Sequence, residues 1–488
     1  MISLRQDMCD LSYLFIITYR QDTEAEWACR FVTMRLPYSE YNLHLPGALR
    51  SSSIAPPWLH SNWSDSTPEI PMASEATTIT LPRWKRVLFS VIMFAFVYGV
   101  LDLSANLYLR ATRGYDGTHL YEFDFDPYKN IIPARNFVDT RGVRHNAQGF
   151  RRDGLVSLAK PQGTFRIFLM GGSTAYGTGG LWPHVQKDFA VLPNGKTIDA
   201  YLEKMLNDSL PGMHVEVVNA AITSTWTHHH LIYLNQTILK FHPDMVLFLD
   251  GFNDEYFFDP KHDQFGDFLY TTQASEIMGQ PTFGALMHAN GWWLYRKSAL
   301  AFVTARAARE FKTMLTKRPP QLPMNVDSSI AGLEQTLPNN ALKMHRRSGL
   351  ILRDEGAVPV FMLQPMLILE RGHKPMPPME QKLFDFNISS SRPGYEEYSK
   401  RAAKYIASQE QAMATSIGGE FIDLTGIYAG VSEQIYTDYV HLTPSGNERL
   451  ARYVSGRLAP IIRREAAKKS IGTPPIVTQR GVPQARSN

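Results

Sequence analysis

From Phe165 onward, compact apolar runs alternate with longer amphipathic stretches along the chain. Each run is short and is bounded by polar or glycine-containing segments, which is typical of a strand buried on both faces of a parallel sheet. The predicted strands are residues 165–170 (FRIFLM), 214–218 (HVEVV), 245–249 (MVLFL), 358–363 (VPVFML) and 420–424 (EFIDL).

The stretches between these runs have the apolar spacing of helices that cover a sheet. Alternation of strand and helix predicts an α/β fold with three layers, in which a doubly wound sheet of about five parallel strands is covered on both faces. Ligands of such sheets bind at the carboxyl ends of the strands, so the residues after each strand are the candidates for function. The predicted helices are 197–210, 227–240, 335–355, 394–416 and 445–465.

The interval between the third and fourth predicted strands is too long for a plain crossover. It contains the aromatic helix candidate GWWLYRKSALAFVTARAAREFK, followed by the breaker KRPPQLP. We predict one domain over 165–465 with an insertion at about 255–335, interpreted as a lid or substrate wall beside the strand ends. Residues 466–488 are predicted to be a disordered tail.

The apolar stretch 87–109 (VLFSVIMFAFVYGVLDLSANLYL) is long enough to cross a bilayer as one helix. A signal peptide is the alternative, but no small-x-small cleavage site follows it before YLRATRGYDG. Basic residues before the stretch outnumber those after it, which favours a short cytoplasmic segment at 72–86 and a periplasmic position for the lead-in 110–164 and the domain. These residues are Arg83, Lys85 and Arg86 before it, and Arg110 and Arg113 after it.

Composition and charge exclude several classes of function. The net charge of +4 is small for 488 residues, and no Lys/Arg-rich block interleaves with aromatic residues, so no nucleic-acid partner is expected. The only cysteines, Cys9 and Cys29, lie near the start, so the main body has neither a disulfide framework nor a thiolate metal site.

The first predicted strand is followed by GGSTAYG, in which Ser173 lies on the turn. The segment is not a phosphate-binding loop, because Thr178 stands where the lysine is required, and it contains no G-x-G-x-x-G fingerprint. Nor is it the G-x-S-x-G elbow, because Ala175 replaces the last glycine. A serine at this place is either a helix N-cap or a nucleophile, and the segment alone leaves both open.

Polar segments also follow three of the other predicted strands. NAAITST follows the second strand, and GFNDE places Asn253 and Asp254 after the third, where an Asn-Asp pair is by itself typical of a turn. After the fifth strand, DYVH places Asp438 three residues before His441. This spacing lets the carboxylate reach the ring N–H of the histidine, as in a catalytic triad.

Together, the segments GGSTAYG, NAAITST, GFND and DYVH resemble, in this order, the four sequence blocks of the SGNH (GDSL-type) serine hydrolases. The resemblance covers about 165–459, and RHNAQGFRRD (144–153) is similar to the lead-in of membrane-anchored members. It implies the flavodoxin-like SGNH hydrolase fold behind one transmembrane helix, with no cofactor and no metal. The implied catalytic residues are Ser173, Asp438 and His441, and the implied oxyanion hole is formed by Ser173, Ser224 and Asn253.

One position departs from the family pattern, because a glycine of the second block aligns with Ser224. The family uses a backbone N–H here, which serine also has, although glycine adopts torsions that cost serine energy. Asn219, at the end of the second strand, does not simply replace this donor.

Neighbouring polar residues receive more modest interpretations. The run His228, His229 and His230 does not predict a metal site, because consecutive residues of a helix point in different directions. Asp254 is interpreted as a tie within its loop, and Asp250 either supplements the site or caps the strand.

The leading functional hypothesis is a membrane-anchored serine esterase that hydrolyses O-acyl esters, acetyl esters among them, of a carbohydrate or lipid through an acyl-enzyme. The alternative is an O-acyltransferase with the same triad, which passes the acyl group to a glycan because water is excluded. A third hypothesis, a non-catalytic binding module of the same fold, is disfavoured because Ser173, Asn253, Asp438 and His441 are all present.

The start of the chain generates a prediction about the native protein. Residues 45–71 are rich in Ser, Pro and Trp without helical or alternating period, whereas a short polar and then basic segment begins at Met72. We predict that 1–71 is either an unstructured leader or an upstream extension of the reading frame, and our hypothesis is the second, with Met72 as the natural start. Peptide mass spectrometry of the native N-terminus should find no peptide from before Met72, and an ordered, packed fold for 1–71 would contradict the prediction.

Overall fold

The computed structural model describes residues 82–113, 115, 119–126, 130–139, 142–180, 192–223, 225–256, 294, 297–315 and 322–472. The predicted leader 1–71 lies outside these residues, as do 257–293 of the predicted insertion and 473–488 of the predicted tail. The chain divides into two compact units, one over 13–96 and one that contains 97–488. Within the first unit the structure describes 82–96, which are helical from Arg83 onward.

Helix α1, Arg83–Arg113, contains the predicted span 87–109. Its segment 83–112 is long and apolar enough to cross a membrane, and its large apolar side chains, such as Phe89, Phe94 and Leu103, are exposed. At a rise of about 1.5 Å per residue, a helix of this length exceeds the roughly 30 Å thickness of a hydrocarbon core, so it is long enough to span one.

The predicted lead-in forms two small antiparallel strand pairs. Strand β1 (Phe123–Asp126) pairs with β2 (Asn130–Pro133), and β3 (Val138–Asp139) pairs with β4 (Val143–Arg144). Sequence periodicity did not predict these pairs, because the strands are too short to show an alternating pattern.

The central sheet is parallel and has five strands, in which the second strand along the chain lies at one edge beside the first, followed by the third, fourth and fifth. This is the 2-1-3-4-5 order of flavodoxin-like doubly wound sheets, so the predicted fold class is confirmed. Each strand begins and ends within one residue of its prediction. The strands are β5 (Thr164–Gly171), β6 (His214–Asn219), β7 (Met245–Asp250), β8 (Val358–Leu363) and β9 (Glu420–Asp423).

Helices cover both faces of this sheet, each with its own buried apolar cluster. One cluster joins the sheet to two helices, through residues such as Leu202 and Leu450. The other joins it to three helices on the opposite face, through residues such as Leu234 and Leu352. The helices after α1 are α2 (Ser173–Tyr176), α3 (Ile198–Ser209), α4 (Thr227–Gln236), α5 (Phe252–Tyr256), α6 (Ala299–Leu315), α7 (Val326–Thr336), α8 (Ala341–Asp354), α9 (Pro378–Ser390), α10 (Tyr395–Ser416) and α11 (Pro444–Gly472).

Several predicted boundaries are corrected. The predicted helix 335–355 covers the last two residues of α7, the single turn Leu337–Asn339 and helix α8, because Pro338 cannot donate to a continuing helix. Helix α7 packs against α10, so the end of the predicted insertion belongs to the core. Helix α11 continues to Gly472, because 465–469 are strong helix formers, so the first part of the predicted tail is helical.

The far end of α1 packs against the start of α6. Asp102 Oδ1 accepts hydrogen bonds from Ser298 Oγ (2.5 Å) and from the backbone N–H of Leu300 (2.9 Å). Ala105 and Leu109 of α1 pack with Ala299 and Phe302 of α6. The carboxylate within the apolar helix therefore caps the N-terminus of α6, where the helix dipole favours a negative charge.

Candidate active site

Ser173 lies directly behind the carboxyl end of β5, at the start of the single-turn helix α2. The helix ends at Gly177, whose φ of 85° lies in the left-handed region that residues with a side chain rarely adopt. Ser173 is only partly buried, whereas Thr174, Ala175 and Tyr176 are buried. The turn therefore presents the serine hydroxyl at the edge of the sheet and fixes the rest of α2 in the core.

The Ser173 hydroxyl, the His441 ring and the Asp438 carboxylate form one hydrogen-bonded series. His441 Nε2 lies 2.8 Å from Ser173 Oγ, and His441 Nδ1 lies 2.7 Å from Asp438 Oδ2. Because a carboxylate only accepts hydrogen bonds, Nδ1 carries the proton and Nε2 is left to accept the proton of the serine hydroxyl. This is the arrangement in which a histidine acts as the base for a serine.

Asp438 is buried, and its charge is compensated on both oxygens. Burial alone would raise the pKa of the Asp438 carboxyl, but the His441 ring and backbone N–H groups lower it overall. The backbone N–H groups of Val440 and His441 each donate to Asp438 Oδ1 at 2.9 Å. The carboxylate therefore stays ionised and holds the imidazole in one tautomer.

The loop that carries Asp438 and His441 is closed on itself. The Thr437 N–H donates to the His441 carbonyl at 2.8 Å, and the Thr443 N–H donates to the Ile435 carbonyl at 2.7 Å. Glu380 of α9 accepts from the N–H groups of Ile435 (2.6 Å) and Tyr436 (2.8 Å). Its second oxygen pairs with the fully buried Lys374. Sequence reasoning missed this support, because Glu380 is distant in the chain and α9 was not predicted.

Asn253 reaches the Ser173 turn from α5, behind the carboxyl end of β7. Its side-chain Nδ2 donates to the Thr225 carbonyl at 2.6 Å. The same Nδ2 would lie 2.5 Å from a Cβ placed on Gly172, so only a glycine lets the amide approach the turn this closely. Since an amide nitrogen has two N–H donors, one remains for a ligand.

The segment NAAITST contains Asn219 and Ser224, of which the structure describes Asn219. Ser224 lies outside the described residues, so its predicted N–H contact stays a prediction. Asn219 donates through Nδ2 to Asp199 (2.7 Å) and to the Ala175 carbonyl (3.1 Å). Its amide therefore holds the α2 turn from behind.

The lead-in supplies two side chains that hold the same turn. His145 lies between the Ala134 carbonyl and the Tyr176 hydroxyl, at 2.8 Å from each. Burial lowers the pKa of His145 to about 3, so the ring is neutral. The Arg151 guanidinium lies over the Tyr176 ring and donates to the Tyr176 carbonyl. Both lie in RHNAQGFRRD, whose resemblance to a lead-in was the only sequence signal for them.

The sequence left the role of Asp250 open. In the structure, its carboxylate lies in a buried cluster of charged side chains. Its Oδ2 lies 3.1 Å from His230 Nδ1 and 3.0 Å from His345 Nε2. His345 Nδ1 lies 2.7 Å from Glu410 Oε1. Burial would lower the pKa of His345, but Glu410 and Asp250 together raise it well above its usual range. The ring is therefore an imidazolium that donates to a carboxylate on each side.

The remaining predictions concern Asp254 and the histidine run. Asp254 Oδ1 accepts from the Thr227 hydroxyl at 2.9 Å, which ties α5 to the start of α4. His229 packs edge-on to Trp226, whereas His230 faces Asp250, so the rings have separate surroundings. Within the described ranges, no group of three or more His, Cys, Asp or Glu side chains could hold a metal ion.

No model of a known protein family matches the chain, and no curated protein matches it. Solved structures similar to it include LAE5, an alpha/beta hydrolase from the metagenome of Lake Arreo, Spain (TM-score 0.31, 11% identity, 60% of this chain and 94% of that one). They also include a catalytic mutant of Axe2, an acetylxylan esterase from Geobacillus stearothermophilus (TM-score 0.31, 12% identity, 59% and 90%). A third is the acetyl xylan esterase AlAXEase (TM-score 0.29, 11% identity, 60% and 99%). The strand order, rather than these similarities, defines the fold.

Glu370 generates a prediction about pH-dependent stability. Burial raises the pKa of its carboxyl from 4.5 to about 7, although Tyr436 donates to Oε1. Between these values the folded protein binds a proton that the unfolded chain releases, so stability falls as the pH rises through this window. Glu370→Gln removes this loss and keeps an acceptor for Tyr436. Chemical unfolding of the detergent-solubilised protein should show the variant gaining up to about 3 kcal/mol on wild type between pH 4.5 and 7.

Glu396→Gln is the matched control of opposite sign. Burial would raise the pKa of Glu396, but Lys400 and Arg371 lower it overall, so this carboxylate stabilises the fold at higher pH and loses that effect on acidification. A difference between Glu370→Gln and wild type that stays flat from pH 4.5 to 7 would contradict the assignment.

Proposed function

We propose that the protein is a membrane-anchored serine esterase that hydrolyses O-acyl esters of a carbohydrate or lipid through an acyl-enzyme. The observation that carries the proposal is the series Ser173 Oγ, His441 and Asp438, with contacts of 2.8 and 2.7 Å. A serine hydroxyl is a weak nucleophile at neutral pH, and a histidine held by a carboxylate is the base that activates it.

In the proposed first step, Ser173 Oγ attacks the ester carbonyl while its proton passes to His441 Nε2. Asp438 stabilises the imidazolium that forms, without taking the proton. The imidazolium then returns the proton to the leaving alcohol, which departs and leaves an acyl-serine. A water molecule, activated by the same ring, releases the acid and restores the hydroxyl.

The proposed oxyanion hole stabilises the tetrahedral intermediates. Its donors are the second Nδ2–H of Asn253 and the backbone N–H of Ser173, with Ser224 N–H as the third donor that the family resemblance implies. Support comes from the position of the Asn253 amide against Gly172, one residue before the nucleophile. Loss of one such donor costs about 3 to 4 kcal/mol of barrier.

Anchoring by α1 is supported by its length, its apolar composition and its exposed side chains. We propose that α1 spans the membrane with 72–86 in the cytoplasm, so that the catalytic domain lies in the periplasm. The contact between Asp102 and the start of α6 supports a domain that begins directly at the far end of the span.

The experiment is a kinetic assay of the detergent-solubilised full chain on p-nitrophenyl acetate, short-chain esters and acetylated oligosaccharides. We expect hydrolysis by wild type, none above background by Ser173→Ala, and a loss of roughly 10² to 10³ in kcat for a folded Asn253→Ala variant.

Control reactions include an unacylated oligosaccharide as acceptor. Transfer of the acetyl group to that sugar in preference to water would replace the esterase by the acyltransferase alternative. Equal rates for wild type and Ser173→Ala on every ester would refute the proposed mechanism.

A further inference from the structure

The buried cluster around Asp250 connects three helices to the carboxyl edge of the sheet. Glu410 lies on α10, His345 on α8 and His230 on α4, and all three side chains are at least nine-tenths buried. Asp250, the last residue of β7, accepts from both histidines. The series Glu410, His345, Asp250 and His230 is therefore continuous, with contacts of 2.7, 3.0 and 3.1 Å.

The series continues to the amide of Asn253. His230 Nε2 lies 3.1 Å from the hydroxyl of Thr225, which is fully buried. The Thr225 hydroxyl in turn donates to the Ile222 carbonyl at 2.7 Å. The Thr225 carbonyl is the acceptor that holds Asn253 Nδ2 at 2.6 Å. Thr225 thus contacts the His230 ring through its side-chain hydroxyl and the Asn253 amide through its backbone carbonyl.

The side chains of the cluster are almost fully buried. His345 is 4% exposed, and the cluster borders a small cavity of ≈ 20 Å³, lined by Asp250, Asp254, His345 and Glu410 among apolar side chains. That volume is room for about one water molecule. Any effect of these groups on a reaction at Ser173 must therefore pass through their neighbours.

We propose that His230, fixed by Asp250, His345 and Glu410, is a positioning residue that holds Thr225 and thereby sets the orientation of the Asn253 amide. The inference rests on the proposed function, because it assigns Asn253 to the oxyanion hole. The charged series holds the His230 ring, the ring holds the Thr225 hydroxyl, and the Thr225 carbonyl leaves the second N–H of Asn253 directed at the Ser173 turn.

A second buried ion cluster in the same sheet provides the contrast. Arg166 of β5 donates to Glu216 of β6 at 2.7 Å, near the amino ends of the strands. Arg166 is fully buried and Glu216 is partly buried, and the pair lies away from the carboxyl edge where Ser173 is found. Glu216→Gln is therefore the control variant. Its effect on kcat measures what destabilisation of the fold alone does.

The test is a double-mutant cycle between His230 and Asn253, measured as kcat and KM for p-nitrophenyl acetate with the full chain. The amide of Asn in His230→Asn reaches the place of Nδ1 and keeps the Asp250 contact, whereas that of Gln in His230→Gln reaches Nε2 and keeps the Thr225 contact. We expect His230→Asn to lower kcat roughly tenfold with little change in KM, within the 10² to 10³ available from the donor itself. We expect His230→Gln to lose less.

In the Asn253→Ala background, the same substitutions should change kcat by less than about twofold, because the group they position is gone. Glu216→Gln should have the same small effect in both backgrounds. If His230→Asn does not fold, Glu410→Gln at the far end of the series is measured in its place, with a smaller loss of kcat expected only where Asn253 is present.

Equal fold-changes in the two backgrounds, or an unchanged kcat for both His230 variants, would overturn the positioning role while leaving the esterase assignment intact. A wild-type protein that does not outpace Ser173→Ala on the ester overturns the proposed function and the inference together. The two failures are therefore distinguishable.

Discussion

An imidazole ring held between a carboxylate and a hydroxyl is the interaction on which the account of this protein depends. His441 has this position because the loop after β9 returns to the carboxyl edge of the sheet, where Ser173 follows β5. Strands β5 and β7 are aligned so that Gly171 pairs with Leu249, which brings the Ser173 turn and the Asn253 turn to the same edge. The parallel order of the sheet therefore creates the site, and the polar residues after its strands supply the chemistry.

Buried charges hold each part of this edge, and each has a partner that offsets the cost of its desolvation. The ion pair of Lys374 and Glu380 supports the loop of His441, and Arg151 donates a hydrogen bond to the helical turn that begins at Ser173. The Asp250 cluster contacts Thr225 through His230, and the Thr225 carbonyl accepts a hydrogen bond from Asn253. Three elements that must meet within hydrogen-bond distance are thus fixed separately.

Much of the fold could be predicted from the sequence because each buried strand is a short, local run of mainly apolar residues. Strand β8 was predicted with its observed bounds, since VPVFML is preceded by DEGA and followed by Gln364 and Pro365, which bound an apolar run. The helical spacing over 335–355 predicts one helix, and this prediction does not take Pro338, where the structure has a break, into account. Helix α9 is not predicted because two of its four buried residues, Glu380 and Asn387, are polar, and the two apolar ones, Leu383 and Phe384, are adjacent and leave little periodic pattern.

The site divides in the same way. Ser173, Asn253, Asp438 and His441 each follow a strand and carry a local motif, so a sequence can indicate them. His345 and Glu410 carry no motif, because their partners are 95 and 65 residues away along the chain. Their meeting depends on how α8 and α10 pack on the sheet, which local patterns do not encode.

The most direct test of the central claim is tandem mass spectrometry of the full chain after reaction with a fluorophosphonate, which reacts only with an activated serine. The account predicts that the adduct lies on Ser173 in the wild-type protein and is absent in His441→Gln, where the base is lost. An adduct on another serine, or no adduct on a folded wild-type chain, would contradict it.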